Sequence, residues 1–284
     1  MNIDGAYRWA RSLQARSRIR LPGFLRAAAY RALRRTGWTV NATIGGMTMR
    51  IPAHLHRISW GGYEPESMER YVRWCAESAG RPSVVLDIGS SIGIYACAAL
   101  FADADLEVIC FDSDIVSQRI IPELTRHAPR SVERLRYVLA YVDSHSDAHE
   151  NLDQAVARST ATIAAGEGIA RYEEISYRCL SAPLVANTPV YTLDGLLDSG
   201  RALADRRVLL KCDVEGAEVR VLLGAEETLK TLRPDLLLSV HGPADLAAHG
   251  NSLAELEALL RRNRYRVAEF ARDHEAHWWC TPAA

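Results

Sequence analysis

Residues 84–95, Val-Val-Leu-Asp-Ile-Gly-Ser-Ser-Ile-Gly-Ile-Tyr, leave this chain few ways to fold. A branched apolar run passes into Asp87, then into Gly89 and Gly93 four positions apart, then into a second apolar run. The pattern predicts a buried strand, a tight glycine turn and a helix start. Strands of this kind deliver ligand contacts at their carboxyl ends, where the following loop opens into a crevice.

The rest of the chain extends the pattern. Residues 38–52 read as a hairpin turning at Gly45-Gly46, followed by a loop through Glu64 and a helix over 68–75 that ends at Arg81-Pro82. Strand 84–88, helix 92–101, strand 106–111, helix 115–127 and strand 135–142 then alternate. Residues 143–190 are less regular and read as loops with one or two strands, Glu174–Leu180 among them. Helix 193–198, strand 207–213, helix 215–231, strand 235–240, a Gly/Pro loop, helix 252–262 and an apolar stretch 264–270 complete the order, with 277–280 as a last strand. Such alternation predicts an α/β fold, a mostly parallel sheet with helices on both faces. Three regions follow: a helical extension over 1–36, a hairpin and helix over 37–80, and a core over 81–284.

Charge separates the first region from the others. Nine arginines face only Asp4 over the first 36 residues, interleaved with apolar residues near helical spacing and broken by Pro22-Gly23. The plain reading is a helical extension with solvated arginines. The alternative is a basic amphipathic helix making peripheral contact with an anionic membrane surface. The whole chain has a formal net charge of -1, which argues against a nucleic-acid partner. Six scattered cysteines without a C-x-x-C pair suit a reducing, cytoplasmic setting. No apolar run is long enough to span a bilayer, and the N-terminus lacks the apolar centre of a signal peptide.

A dinucleotide loop needs G-x-G-x-x-G so that backbone can approach a pyrophosphate. Here the third glycine is missing and Asp87 stands at the strand mouth, where a carboxylate repels pyrophosphate. It would favour a cationic ligand instead. S-adenosylmethionine carries an ammonium and a sulfonium, and the two glycines would let its methionine portion pass close to backbone. Asp112 follows Asp87 by 25 residues, at the end of the second strand, where a carboxylate can accept both ribose hydroxyls.

A second constellation spans Val208–Glu218, an apolar strand that ends in Lys211, Asp213, Glu215 and Glu218. Alternation places Lys211 and Asp213 on one face, and a helix beginning near Glu215 would set Glu215 and Glu218 three apart on one face. Helix-start carboxylates are commonly solvated, which accounts for Glu218 and partly for Glu215. It does not account for Lys211, which is costly to bury without a partner. A metal held by Asp213, Glu215 or Glu218 is the lesser alternative, because the spacing is unlike an EF-hand loop; the remaining histidines show no metal-ligand spacing, and no metal site is assigned. His54-x-His56 reads as an exposed strand pair. His241 follows strand 235–240 and is placed to act as a general base for a hydroxyl, or as a loop histidine without chemistry.

These residues resemble the FkbM family of S-adenosylmethionine-dependent methyltransferases over roughly residues 60–281. The resemblance rests on Tyr63-Glu64-Pro65, on Asp87 through Gly93, on Thr192-Leu193-Asp194, and above all on Leu210 through Glu218 followed by Leu223-Gly224-Ala225 and Val240-His241. It implies a class I (Rossmann-like) methyltransferase fold and O-methylation of a hydroxyl, often on a sugar or a secondary metabolite. The chain departs from the family pattern at Asp112-Ser113, where glutamate and proline are usual, at Ser90 and Ser91, and at Ser239, where an acid often precedes the histidine.

With that resemblance, Asp87, Gly89, Gly93 and Asp112 are expected to hold S-adenosylmethionine, Ser91 and Tyr95 to line it, and Asp143 to reach the adenine amine. Lys211 and Asp213 are expected to floor the crevice near the methyl group, His241 to act as base, and Glu64 and Glu215 to meet a small-molecule or glycan acceptor. The alternatives are a non-catalytic binding protein that keeps the fold as a scaffold and an NAD-linked enzyme.

Overall fold

A computed structural model describes residues 32–55, 62–77, 82–164 and 188–283. The N-terminal segment up to residue 31 and the strand expected at Glu174–Leu180 lie outside the described residues; residues 32–36 are helical.

The chain opens with an antiparallel hairpin, β1 (Thr39–Ile44) and β2 (Met47–Pro52), turning at Gly45-Gly46 as expected, and continues into α1 (Pro65–Ala76). The alternating core follows: β3 (Ser83–Ile88), α2 (Ile94–Ala102), β4 (Glu107–Asp112), α3 (Ile115–Thr125), the single turn α4 (Ser131–Arg134) and β5 (Leu135–Leu139). A short pair, β6 (Tyr141–Val142) and β7 (Val190–Tyr191), flanks α5 (Leu152–Ala164), and α6 (Leu193–Leu196) leads on. The second half comprises β8 (Arg207–Cys212), α7 (Glu218–Leu223), α8 (Glu226–Thr231), β9 (Asp235–Val240), α9 (Pro243–Ala248), α10 (Leu253–Arg262), β10 (Tyr265–Arg272) and β11 (Ala276–Pro282).

Seven strands form one sheet in the order β10-β11-β9-β8-β3-β4-β5. β9, β8, β3, β4 and β5 pair in parallel, and β11 runs antiparallel to both β9 and β10. This is the expected α/β architecture, a mostly parallel sheet with helices on both faces. Every residue of β3 is buried, as a central parallel strand requires. The edge strand β10 is instead exposed along most of its length and carries Arg266, Glu269 and Arg272, charges that discourage further strand pairing.

Alternation divides the core in two. Val84, Leu86, Ile88, Leu210 and Leu238 face one apolar cluster together with Leu152, Leu193, Leu222 and Leu256. Val85, Leu209 and Leu237 face the other, with the hairpin's Met49 and Ile51, α1's Met68 and Tyr71, and all-apolar α2. Asp87 and Lys211 have the parity of Val85 and Leu209, so they point to the face that α1 and α2 cover.

Three expectations are corrected. Residues 215–231 form two helices, because the first ends at Gly224 and the Asp194 carboxylate caps the second through the Glu227 and Thr228 amides at 3.0 and 2.7 Å. The irregular stretch after residue 143 contains the 13-residue helix α5, started by a reciprocal Asn151–Gln154 box at 3.0 Å in both directions. The Gly/Pro loop after His241 winds into α9 with Pro243 in its first turn.

Candidate active site

Parallel register brings the two constellations together. Asp87 on β3 lies beside Lys211 on β8, and the Asp213 amide donates to the Ile88 carbonyl at 3.0 Å. The Lys211 ammonium donates to the Gly89 carbonyl and to Asp213 Oδ2, both at 3.2 Å, and stands 3.4 Å from Asp87 Oδ1. The Tyr95 ring lies 4.9 Å below it. Burial works against charge on Lys211, but Asp213 and Asp87 outweigh it and hold its pKa well above the usual lysine value. Burial pushes the Asp87 carboxyl up, with Lys211 opposing.

This geometry revises the part expected of Asp87. The side chain is wholly buried, so the positive charge it answers is Lys211 rather than a ligand. The two glycines serve protein packing as well. A Cβ on Gly89, whose φ is +74°, would stand 1.7 Å from the Asp213 carbonyl oxygen, and one on Gly93 would meet the Ile121 side chain at 2.7 Å. Asp213 and Ile121 fill the space that each side chain would take.

Tyr95 is also corrected. It is buried with its hydroxyl donating to Glu64 Oε2 at 2.6 Å and accepting from the Ser67 hydroxyl at 2.8 Å, so it holds Glu64 rather than lining a cofactor surface. Glu64 itself is buried, at a left-handed residue just before α1, and its Oε1 has no hydrogen-bond partner among the described residues.

Asp112 and Ser91 do face the crevice at the carboxyl ends of β3 and β4. Ser91 is exposed and its amide donates to Asp112 Oδ2 at 2.7 Å, while the Asp114 amide donates to Oδ1 at 2.8 Å. Each carboxylate oxygen keeps a lone pair. Burial pushes the Asp112 pKa up to about 6, with the two amides opposing. Asp143 is elsewhere engaged: Arg220 clasps both its oxygens at 2.7–3.1 Å and Ser144 adds two more bonds. Burial opposes its ionisation, yet Arg220 and Ser144 hold its pKa below the usual value. The acceptor capacity wanted for an adenine amine is spent on that pair.

His241 stands among four carboxylates. Its Nδ1 is 2.7 Å from Glu218 Oε1, and its Nε2 is 3.0 Å from Glu275 Oε2, 3.3 Å from Glu215 Oε2 and 4.0 Å from Asp213 Oδ1. Burial opposes the imidazolium, but Glu218 and Glu275 prevail and push its pKa up to about 9. At neutral pH the ring therefore holds a proton, and His241 is not the resting general base expected of it. Glu215 lies outside the helix in a left-handed turn, φ 54°, and is exposed, so it shares no helical face with Glu218. Glu218 is fully buried, not solvated, and also accepts from the Gly216 amide at 3.1 Å.

Glu275 was missed in sequence. β11 pairs with β9 so that Ala276 faces Val240, which sets Glu275 opposite His241. Only that antiparallel register connects the two, and the Asp273-His274-Glu275 triplet before an apolar strand is a faint signal for it. His54, read as exposed, is buried and paired with Glu123 at 2.9 Å. A cavity of about 550 Å³ lies at the opposite, amino end of the sheet among Pro82, Arg207, Arg233 and Asp235, away from these groups. No helix among the described residues is long and apolar enough to cross a membrane.

The methyltransferase FkbM domain family matches residues 182–267. Among solved structures, a methyltransferase FkbM from Methylobacillus flagellatus KT is 16% identical with a TM-score of 0.44, over 71% of this chain and 43% of its own length. This chain thus spans less than half of that protein. A precorrin-6y C5,15-methyltransferase from Geobacter metallireducens GS-15 is 11% identical over 76% of this chain and 89% of its own, TM-score 0.41. An SAM-dependent methyltransferase from Agrobacterium tumefaciens is 14% identical over 87% and 71%, TM-score 0.43. No curated protein matches the chain.

Proposed function

We propose, from the premise that the chain carries an FkbM methyltransferase domain over residues 182–267, that it methylates a hydroxyl of a small molecule or glycan with S-adenosylmethionine. The observation that carries this reading is the meeting of the Ser91–Asp112 pair with Lys211 and Asp213 at adjacent carboxyl ends of β3, β4 and β8.

The residues fit the cofactor at its ribose. Asp112 is fixed by two backbone amides and retains a lone pair on each oxygen, the acceptor geometry that a pair of hydroxyls needs. When bound, S-adenosylmethionine would supply a methyl group already activated by its sulfonium, for an acceptor oxygen to take up with the thioether as leaving group. The chain's own task is alignment and removal of the hydroxyl proton. Lys211 fixes Asp213 at the floor through its 3.2 Å bond, and the carboxylates of the wall are the proton acceptors, since His241 is already protonated at neutral pH.

Incubation with S-adenosylmethionine and matched hydroxyl, amine and carbon acceptors tests the reading, with S-adenosylhomocysteine detected by mass spectrometry. The expected result is turnover with hydroxyl acceptors, reduced about 10²-fold or more in Asp213→Asn. Turnover confined to amines or carbon would overturn O-methylation. Cofactor binding without turnover on any acceptor would favour the scaffold.

A further inference from the structure

The wall around His241 holds more negative charge than its neighbouring cations answer. Asp213, Glu215, Glu218 and Glu275 surround one imidazole, and Lys211 is shared with Asp87. Glu218 holds Nδ1 and so turns Nε2 toward the other three carboxylates, the carboxylate–histidine arrangement that orients a metal ligand. One donor atom from each of Asp213, His241 and Glu275 lies within 4.8 Å of the other two. An ion with bonds of about 2.0–2.2 Å separates opposite ligands by about 4.4 Å, so these groups reach a common centre with small side-chain movement.

A second observation points the same way. The Glu275 side chain is 2% exposed and its Oε1 has no hydrogen-bond partner among the described residues, His274 standing 3.7 Å off. Glu64 Oε1 is likewise buried without a partner, and Glu64, Glu275 and His277 form another donor set of the same span. Buried carboxylate oxygens without donors are costly, and a cation relieves that cost. The approach is open, since Asp213 and Glu215 are 18% and 72% exposed on the crevice side.

We propose that Asp213, His241 Nε2 and Glu275 bind a divalent cation of the Mg²⁺ or Mn²⁺ class, the ion displacing the Nε2 proton to solvent, with Glu218 as a positioning residue behind the imidazole and Glu215 at the entrance. Two carboxylates and one imidazole suit hard to borderline ions. If the methyl-transfer reading holds, such an ion would also lower the pKa of an acceptor hydroxyl bound to it; the binding itself does not depend on that reading.

The test is titration of the full chain with Mn²⁺ in the absence of S-adenosylmethionine, following the electron paramagnetic resonance signal of free Mn²⁺. One saturable site is expected, weakened about tenfold or more by Glu275→Gln and by Asp213→Asn, and unchanged by Glu269→Gln on the exposed edge strand. Should Glu275→Gln fail to fold, Asp213→Asn, at a partly exposed loop position, decides. Absence of saturable binding below about 1 mM, or binding that Asp213→Asn leaves unchanged, overturns the proposal. Loss of Mn²⁺ binding with S-adenosylmethionine binding intact would sink this inference alone; the reverse would sink the methyl-transfer reading alone.

Discussion

Lys211 divides the crevice into two regions that handle charge differently. On the β3–β4 side, Asp87 is answered inside the core by Lys211, the Asp112 oxygens are fixed by amides, and the glycine loop is packed against Asp213 and Ile121. On the β9–β11 side, carboxylates crowd one imidazole, and Oε1 of Glu64 and of Glu275 lacks a donor among the described residues. The first region is electrostatically closed and preorganised. The second is left incomplete among the described residues, the contrast expected between the cation site and the ribose site proposed above.

The strongest way to break the comparison is to remove its pivot. Lys211→Met leaves the buried Asp87 without its counter-charge, and stability should fall by about 3–5 kcal/mol in chemical denaturation. A fall below about 1 kcal/mol would mean that Asp87 is not held as a charge by Lys211. Next is Gly89→Ala, which must place a Cβ against the Asp213 carbonyl at φ +74°. The left-handed conformation alone costs about 1–2 kcal/mol, and the collision adds to it, so a loss of about 2 kcal/mol or more is expected; an unaffected melting temperature would contradict the packing.

Asp112 sharpens the contrast through pH. Its folded pKa of about 6 lies above the ordinary carboxylate value of about 3.9, so its contribution to stability is full below that ordinary value and is lost as pH rises through 6. Cofactor affinity should run the other way, weakening as the carboxylate protonates below pH 6. Asp112→Asn should flatten both slopes, and persistence of either would assign it to another group. The smallest effect belongs to exposed Glu215: Glu215→Gln should change stability by less than about 0.5 kcal/mol, and a larger change would place it inside the wall rather than at its entrance.

The two regions also differed in how much of them could be read in sequence. Strand β3, its glycine turn and the carboxylate at the end of β4 are local patterns, and they appear within a residue or two of where periodicity puts them. Lys211 announced itself as a charge too costly to bury alone, and its partners were found. What Asp87 does was not legible, because the register of β3 against β8, not the spacing of residues, sets its neighbour. The wall was less legible still. Glu275 reaches His241 only because β11 inserts antiparallel beside β9, and Glu218 looks like any solvated helix-start acid until β9 and its histidine cover it. Helix α5 was overlooked although its Asn151–Gln154 capping box is written in the sequence.

The most direct test of the account is calorimetric titration of S-adenosylmethionine into the metal-free wild-type chain and into Asp112→Ala. The account predicts saturable binding to the wild type, weakened about tenfold or more in the variant, as loss of a hydrogen bond to a charged group implies. Absence of binding to the wild type, or equal binding by both proteins, would contradict it.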